Sequence, residues 1–291
     1  MNTIPRSLLF VPGDNPERIA KAARSVADAV IVDLEDAVPM EAKDAARAGL
    51  ADAAALLRNS GKYAIVRVNA DGEMHNADIA AVLAHSFDAI MVPKVDTPGS
   101  LAHVNQLIDQ HASAKLHASL SMIALIESAR SVLSAAEIAA VPRVSAVALG
   151  SEDFALSMGT KPEPGNLDLP VRMIALAANA NGKSAFAMPL SIAAFRDTEA
   201  IEGAARLARS YGCHGALCIH PLQVEIVNAA FAPTAEEIGE AQIVLDAWAA
   251  AQLEGKGVAV ANGKMIDTPV VAWAEGVICR SEMIEPREKT Q

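Results

Sequence analysis

The sequence predicts an α/β fold, a (β/α)8 TIM barrel with a C-terminal lid appendage, and three observations predict it. One plan repeats eight times: a short apolar run, a polar cluster, then an alanine-rich segment of helical length. The runs are continuous rather than alternating, as expected for parallel strands covered on both faces. The far end of each run carries polar, Gly or Pro residues while the starts are bland, and that is the end where a barrel builds its site. An open doubly wound sheet is the alternative, but no run is followed by a GxGxxG turn.

In order, the runs are Leu8–Val11, Ala29–Val32, Ala64–Val66, Ala89–Val92, Met122–Ile126, Val147–Leu149, Ala185–Met188 and Gly215–Ile219. Pro16 opens the first helix with Asn15 as its cap. Segments 16–27, 41–58, 99–112 and 198–211 suit crossover helices by length and alanine content. Beyond the eighth run the pattern changes. Residues 222–254 read as two helices, the second starting at Pro233-Thr234, and 255–266 as a hairpin turning at Asn262-Gly263. A helix over 270–282 and a charged tail follow. The barrel is therefore assigned to residues 1–225 and the lid to 226–291, closing over this barrel's mouth or a neighbour's.

Composition narrows the function classes. With 291 residues, 52% of them hydrophobic and 20% charged, the chain can bury a substantial core. A net charge of −11 without a Lys/Arg stripe argues against nucleic acid as a partner. No apolar stretch reaches about 18 residues, so no membrane span is expected. The opening Met1–Arg6 lacks a signal-peptide core. Cys213, Cys218 and Cys279 form no CxxC pair and read as thiols in a reducing cytoplasm.

The run ends carry the chemistry. Asp33, Glu35 and Asp36 place three carboxylates in four positions, more than capping a helix needs, so Glu35 and Asp36 are given catalytic roles. On an extended chain Asp33 and Glu35 face together and Asp36 away. Arg67 ends the third run. Its planar fork meets those acids, clamps a substrate carboxylate or enolate oxygen, or does both, and the substrate role is favoured. Glu127 and Asp153 close the fifth and sixth runs. Surface ion pairs or helix caps are the plain alternative, but two carboxylates with waters and substrate oxygens suit Mg²⁺.

Other candidates weigh less. No His/Cys set has zinc spacing, and His75, His85, His103, His111 and His117 are expected to face solvent. Lys94 is expected to pair with a mouth acid rather than to form a Schiff base. His220-Pro221 reads equally as a general base or a structural turn. Asp267 is a plain helix cap unless the lid carries it to a mouth.

Taken together, several stretches resemble the citrate lyase β-subunit-like branch of the HpcH/HpaI aldolase family, nearly end to end. They are Leu9-Phe10-Val11-Pro12-Gly13, Asp33-Leu34-Glu35-Asp36-Ala37-Val38 with Lys43 and Arg47, Arg67-Val68-Asn69 and Val92-Pro93-Lys94. Ile126-Glu127-Ser128, Gly150-Ser151-Glu152-Asp153, Ile219-His220-Pro221 with Gln223, and Gly263-Lys264-Met265-Ile266-Asp267 complete the set. The resemblance implies Mg²⁺ and an acyl-CoA thioester whose carbon–carbon bond is cleaved or formed, such as citramalyl-, malyl- or citryl-CoA. The products would be a 2-oxo acid and acetyl-CoA. It implies Glu127 and Asp153 as metal ligands, Arg67 on substrate oxygens, and Phe10, Lys21 and Pro93 as substrate-binding positions. It also implies that Asp267 acts as acid/base in a neighbouring subunit's site, within homotrimers or hexamers. Relatives carry arginine at one first-loop position where this chain has Asn15. The rivals are a thioesterase on the same scaffold, a CoA-independent class II 2-oxo acid aldolase, and a non-catalytic subunit of an acyl-carrier complex.

Overall fold

In a computed structural model, which describes residues 4–70, 72–111 and 120–289, each apolar run becomes a strand. These are β1 (Ser7–Pro12), β2 (Ala29–Asp33), β3 (Tyr63–Arg67), β4 (Ala89–Val92), β5 (Ser121–Ile126), β6 (Val144–Leu149), β7 (Ser184–Phe186) and β8 (Ala216–Cys218). Neighbours pair in parallel in the order β7-β6-β5-β4-β3-β2-β1-β8. The two ends meet through a bridge between Phe186 and Gly215, supported by His214 N–H to the Ala185 carbonyl at 2.8 Å. The eight strands thus form a nearly closed barrel. Gly215 also lets β8 lie close against β1, because a Cβ there would stand 2.2 Å from the Arg6 carbonyl oxygen.

Strand periodicity divides each run between two layers. Leu8, Ile31, Ile65, Met91, Ile123, Leu125, Phe186 and Leu217 form one buried cluster in the barrel interior. Leu9, Val30, Val66, Ile90, Ala124 and Val147, one step along, join the larger layer packed with the helices. Continuous hydrophobicity follows from that double burial.

The amino ends of the strands are locked by structure alone. Arg6 Nε pairs with Asp28 Oδ2 at 2.9 Å with both side chains buried, and Ser7 Oγ donates to Asn228 Oδ1 at 2.7 Å. The first helix, Pro16–Ala23, has Asn15 accepting from the Arg18 amide at 3.0 Å as expected. Segment 41–58 breaks into two helices, Lys43–Ala48 and Leu50–Asn59, at Gly49. The expected end of segment 99–112 lies outside the described residues.

The chain divides into two compact units, one of them Ile4–Phe231 and the other running from Ala232 onward. The break falls after Phe231 rather than after residue 225, because the helix Pro221–Phe231 is continuous. In the second unit, Thr234 and Glu237 form a capping box that starts the helix Ala235–Leu253. Strands β9 (Ala259–Ala261) and β10 (Lys264–Ile266) turn at Asn262 and Gly263, whose φ values of 49° and 73° suit a two-residue hairpin loop. The last helix, Thr268–Lys289, continues past residue 282, where a charged tail was expected. Ala241, Val244, Ile266, Val271, Ala274 and Val277 make this unit's own core. Among the described residues no helix is long and apolar enough to cross a membrane.

Candidate active site

A cavity of about 330 Å³ opens at the carboxyl ends of the strands. Phe10, Asp33, Asp36, Arg67, Glu127 and Asp153 line it together with Leu125, Ile192, Leu217 and Ile219. Strand register explains the first pair. Parallel pairing of β2 and β3 sets Asp33 level with Arg67, and the fork closes on it, with Nε to Oδ1 at 2.7 Å and Nη2 to Oδ2 at 2.6 Å. Asp33 also accepts the amides of Glu35 at 2.9 Å and Ala37 at 3.0 Å, which turns the chain sharply after β2.

That turn corrects the expectation that Asp36 would face away. Arg67 Nη1 stands 3.2 Å from Glu35 Oε2 and 3.6 Å from Asp36 Oδ2, so all three acids meet one guanidinium. Burial works against the charge on Arg67, but Asp33 above all, then Glu35 and Asp36, outweigh it and raise its pKa. Arg67 Cζ also lies 4.9 Å from the Phe10 ring centroid, a cation–π stack. The fork favoured for substrate is therefore held by Asp33, leaving the Nη1 edge among Glu35, Asp36 and the cavity.

Glu35 is 5% exposed. One of its oxygens is near Arg67, and Lys94 Nζ stands 3.1 Å from the other, yet neither contact has hydrogen-bond alignment. Burial raises the Glu35 pKa, Arg67 and Lys94 oppose, and Asp36 adds. Lys43 fixes the main chain beneath it, since its buried ammonium donates to the carbonyls of Leu34 at 2.7 Å and Glu35 at 2.8 Å and to Asn69 Oδ1 at 2.7 Å. Lys94 is thus in the ion pair expected of it. Its pKa is raised, first by the Glu35 contact, which holds it as an ammonium unsuited to imine formation.

Glu127 is buried at the end of β5 and takes the Lys94 main-chain amide on Oε2 at 2.6 Å. Burial pushes its pKa up to about 8, with Glu35 and Asp153 adding to the rise. Gly150 makes room for it, since a Cβ there would lie 2.6 Å from Glu127 Cγ and 2.9 Å from Oε1. Asp153 follows in the first turn of the helix Ser151–Ser157, half-buried on the cavity wall. Neighbouring Glu152 does something else: its Oε1 accepts from Ser191 Oγ at 2.7 Å and the Ile192 amide at 3.1 Å, tying down the loop after β7.

The donor set fits one hard cation. At the mouth Asp33, Glu35, Asp36, Glu127, Glu152 and Asp153 stand with Arg67 and Lys94, six carboxylates against two cations among the described residues. Among the described residues no three His, Cys, Asp or Glu gather into a metal cage. Mg²⁺ uses one or two carboxylates and completes its shell with water and substrate, so Glu127 and Asp153 could hold one.

The remaining candidates are placed elsewhere. Lys21 is exposed in the last turn of the first helix, and Pro93 is buried outside the cavity lining. Asp267 belongs to the second unit, where its Oδ1 takes the Val270 amide at 3.4 Å at the start of the last helix. His220 proves to be a structural turn, with Nδ1 accepting the Leu222 amide at 3.2 Å and its ring stacked on Phe195 at 4.6 Å. His75 corrects the solvent-facing expectation, because it is buried with Nδ1 2.6 Å from the Asn69 carbonyl. His117 and the side chain of His111 lie outside the described residues.

Fold and mouth together define a barrel enzyme with an acid-rich, cation-seeking site. The family model of the HpcH/HpaI aldolase/citrate lyase family matches residues 6–221, and the chain belongs to that family. Within it the chain sits on the citrate lyase β-subunit-like, CoA-ester lyase branch. It is 36% identical to a citrate lyase subunit beta-like protein of Deinococcus radiodurans over 96% of this chain and 99% of that one. To the (3S)-malyl-CoA thioesterase of Cereibacter sphaeroides it is 35% identical, covering 96% and 95%. The solved structure of CitE from Mycobacterium tuberculosis, in complex with magnesium, acetoacetate and coenzyme A, is 32% identical with a TM-score of 0.74, over 96% of this chain and 98% of that one.

Proposed function

We propose that this chain is a Mg²⁺-dependent lyase that cleaves or forms the carbon–carbon bond of a 3-hydroxyacyl-CoA such as citramalyl-, malyl- or citryl-CoA. A 2-oxo acid and acetyl-CoA lie on the other side of the reaction. The observation that carries this reading is the buried Glu127 carboxylate beside Asp153, on the wall of a cavity whose acids outnumber its cations. The CitE complex with magnesium and coenzyme A supports it.

Glu127 and Asp153 would hold Mg²⁺, which supplies Lewis acidity and a template for the carboxylate and adjacent oxygen of the oxo acid. The protein's own groups do the rest. Cleavage begins when a base takes the proton of the 3-hydroxyl and ends when an acid returns a proton to the enolate carbon, giving acetyl-CoA. Glu35 and Asp36 stand at the Nη1 edge of Arg67 that Asp33 does not hold and are the barrel's acid/base groups, and Asp267, presented by another subunit, is the acid/base of the second unit. As the bond breaks, negative charge grows on the thioester oxygen. Arg67, preorganised by Asp33 and Phe10, meets that charge without having to reorient, which lowers the barrier rather than tightening substrate binding. The apolar wall of Leu125, Ile192, Leu217 and Ile219 limits water around the enolate. Phe10, Lys21 and Pro93 are proposed to serve the CoA and acyl side, and the second unit to act as a lid exchanged within a homotrimer or hexamer. Buried thiols at Cys213 and Cys218, each pushed by burial up to about 12, suit a cytoplasmic setting.

A thioesterase on the same scaffold is the second reading, favoured by the malyl-CoA thioesterase relative. Mass spectrometry of products from a panel of 3-hydroxyacyl-CoA thioesters separates the two. The lyase yields a 2-oxo acid with acetyl-CoA; free CoA with an intact hydroxy acid would overturn it.

A further inference from the structure

Lys94 follows β4 with a φ of 53°, in the left-handed region that L side chains rarely enter. Among the described residues the other non-glycine case is Asn262, in a hairpin turn that calls for it. Residues held there persist where their surroundings over-determine them, and they cluster at functional sites. At Lys94 the result is visible in two contacts. The main-chain amide is turned into the mouth and donates to Glu127 Oε2 at 2.6 Å. The side chain, 53% exposed, reaches back so that Nζ stands 3.1 Å from Glu35 Oε1. One residue therefore grips two acidic side chains, one by backbone and one by side chain.

We propose that Lys94 is the positioning residue of this site. Its amide fixes Glu127 so that Oε1, the oxygen against Gly150, faces the Ser151–Asp153 turn, and its ammonium holds Glu35 in register with Arg67. The first half rests on Glu127 as a metal ligand, as read above; the second does not. The geometry explains why a charged residue tolerates this backbone. With Oε2 taken by the amide, Glu127 offers a single oxygen in a set direction, as a ligand with a fixed partner does. Between two acids of like charge, the ammonium offsets repulsion that would otherwise push Glu35 away from the site.

Four substitutions, with a fifth in reserve, separate the two halves. Glycine enters the left-handed region freely, whereas a β-branched residue there is a genuine outlier. In Mg²⁺ titration calorimetry, Lys94→Val is expected to bind about tenfold more weakly than wild type, and Lys94→Gly within about twofold of it. Equal affinity in the two variants would overturn the amide's role. Should Lys94→Val fail to fold by circular dichroism, Lys94→Thr, also β-branched, replaces it, and affinity equal to that of Lys94→Gly would likewise overturn the amide's role. For the ammonium, Lys94→Met is expected to lower kcat about tenfold while KM and Mg²⁺ affinity hold, with Lys94→Arg recovering most of the loss. A wild-type kcat in Lys94→Met would overturn it. If wild type itself binds no Mg²⁺, the metal reading fails together with the amide half, while the kcat series still decides the ammonium half.

Discussion

Gly150 leaves the space that the Glu127 carboxylate occupies, since a Cβ there would stand 2.6 Å from Cγ and 2.9 Å from Oε1. Any side chain at this position displaces the acid. Gly150→Ala is expected to weaken Mg²⁺ binding by about 10–100-fold, at a stability cost of about 1–3 kcal/mol. Titration calorimetry and urea unfolding check the two effects. Unchanged affinity would detach Glu127 from the metal.

The pH dependence of the metal-free protein follows from the same acid. Burial pushes Glu127 up to about 8 from an ordinary 4.5, and the Lys94 amide only partly opposes it. The folded chain therefore holds a proton there that the unfolded chain releases. Its contribution to stability is full below about 4.5 and is lost as pH rises through about 8. Mg²⁺ competes with that proton, so its affinity is expected to rise over the same window. Melting temperature against pH, with and without Mg²⁺, tests both; parallel curves would contradict this account.

Arg67 and Asp33 act as one unit because β2 and β3 set them level and the contact is bidentate. A lysine at 67 reproduces the charge but not the fork. Arg67→Lys is expected to lower kcat about 10²–10³-fold with a smaller change in KM. In a double-mutant cycle with Asp33→Asn, a coupling of about 0.5–3 kcal/mol is expected in kcat/KM. Strict additivity would show that Asp33 does not hold Arg67 for catalysis.

Asp267 in the second unit makes a claim about assembly. If it serves a neighbour's mouth, Asp267→Asn and Asp153→Asn are each inactive alone. Mixing them under conditions of subunit exchange is expected to restore about a quarter of wild-type kcat or less, since only sites built from two intact halves work. No recovery in exchanged oligomers would place Asp267 outside the neighbouring site.

Much of this fold was legible because parallel strands buried on both faces leave continuous runs, and because Asn262-Gly263 is a turn with a mechanism. The carboxylates and Arg67 were visible as residue types at run ends. Their partners were less so. The Arg67 fork was open to the run-two acids, to substrate or to both; strand register sets Asp33 against it, and a one-residue slip would have changed that partner without changing the run pattern. The extended-chain rule misdirected Asp36 because Asp33 itself accepts two amides and bends the chain. His75 is polar and sits in a helix, yet it is buried by its bond to the Asn69 carbonyl. The left-handed backbone of Lys94 leaves no mark in composition or spacing.

The metal centre is the claim on which the rest depends. The direct measurement is Mg²⁺ titration of wild type against Asp153→Asn, with turnover of a 3-hydroxyacyl-CoA followed in the same samples. Wild type is expected to bind Mg²⁺ and to turn over only when it is bound, while Asp153→Asn loses affinity by at least about tenfold, and turnover with it. Full affinity and full turnover in Asp153→Asn would contradict the account.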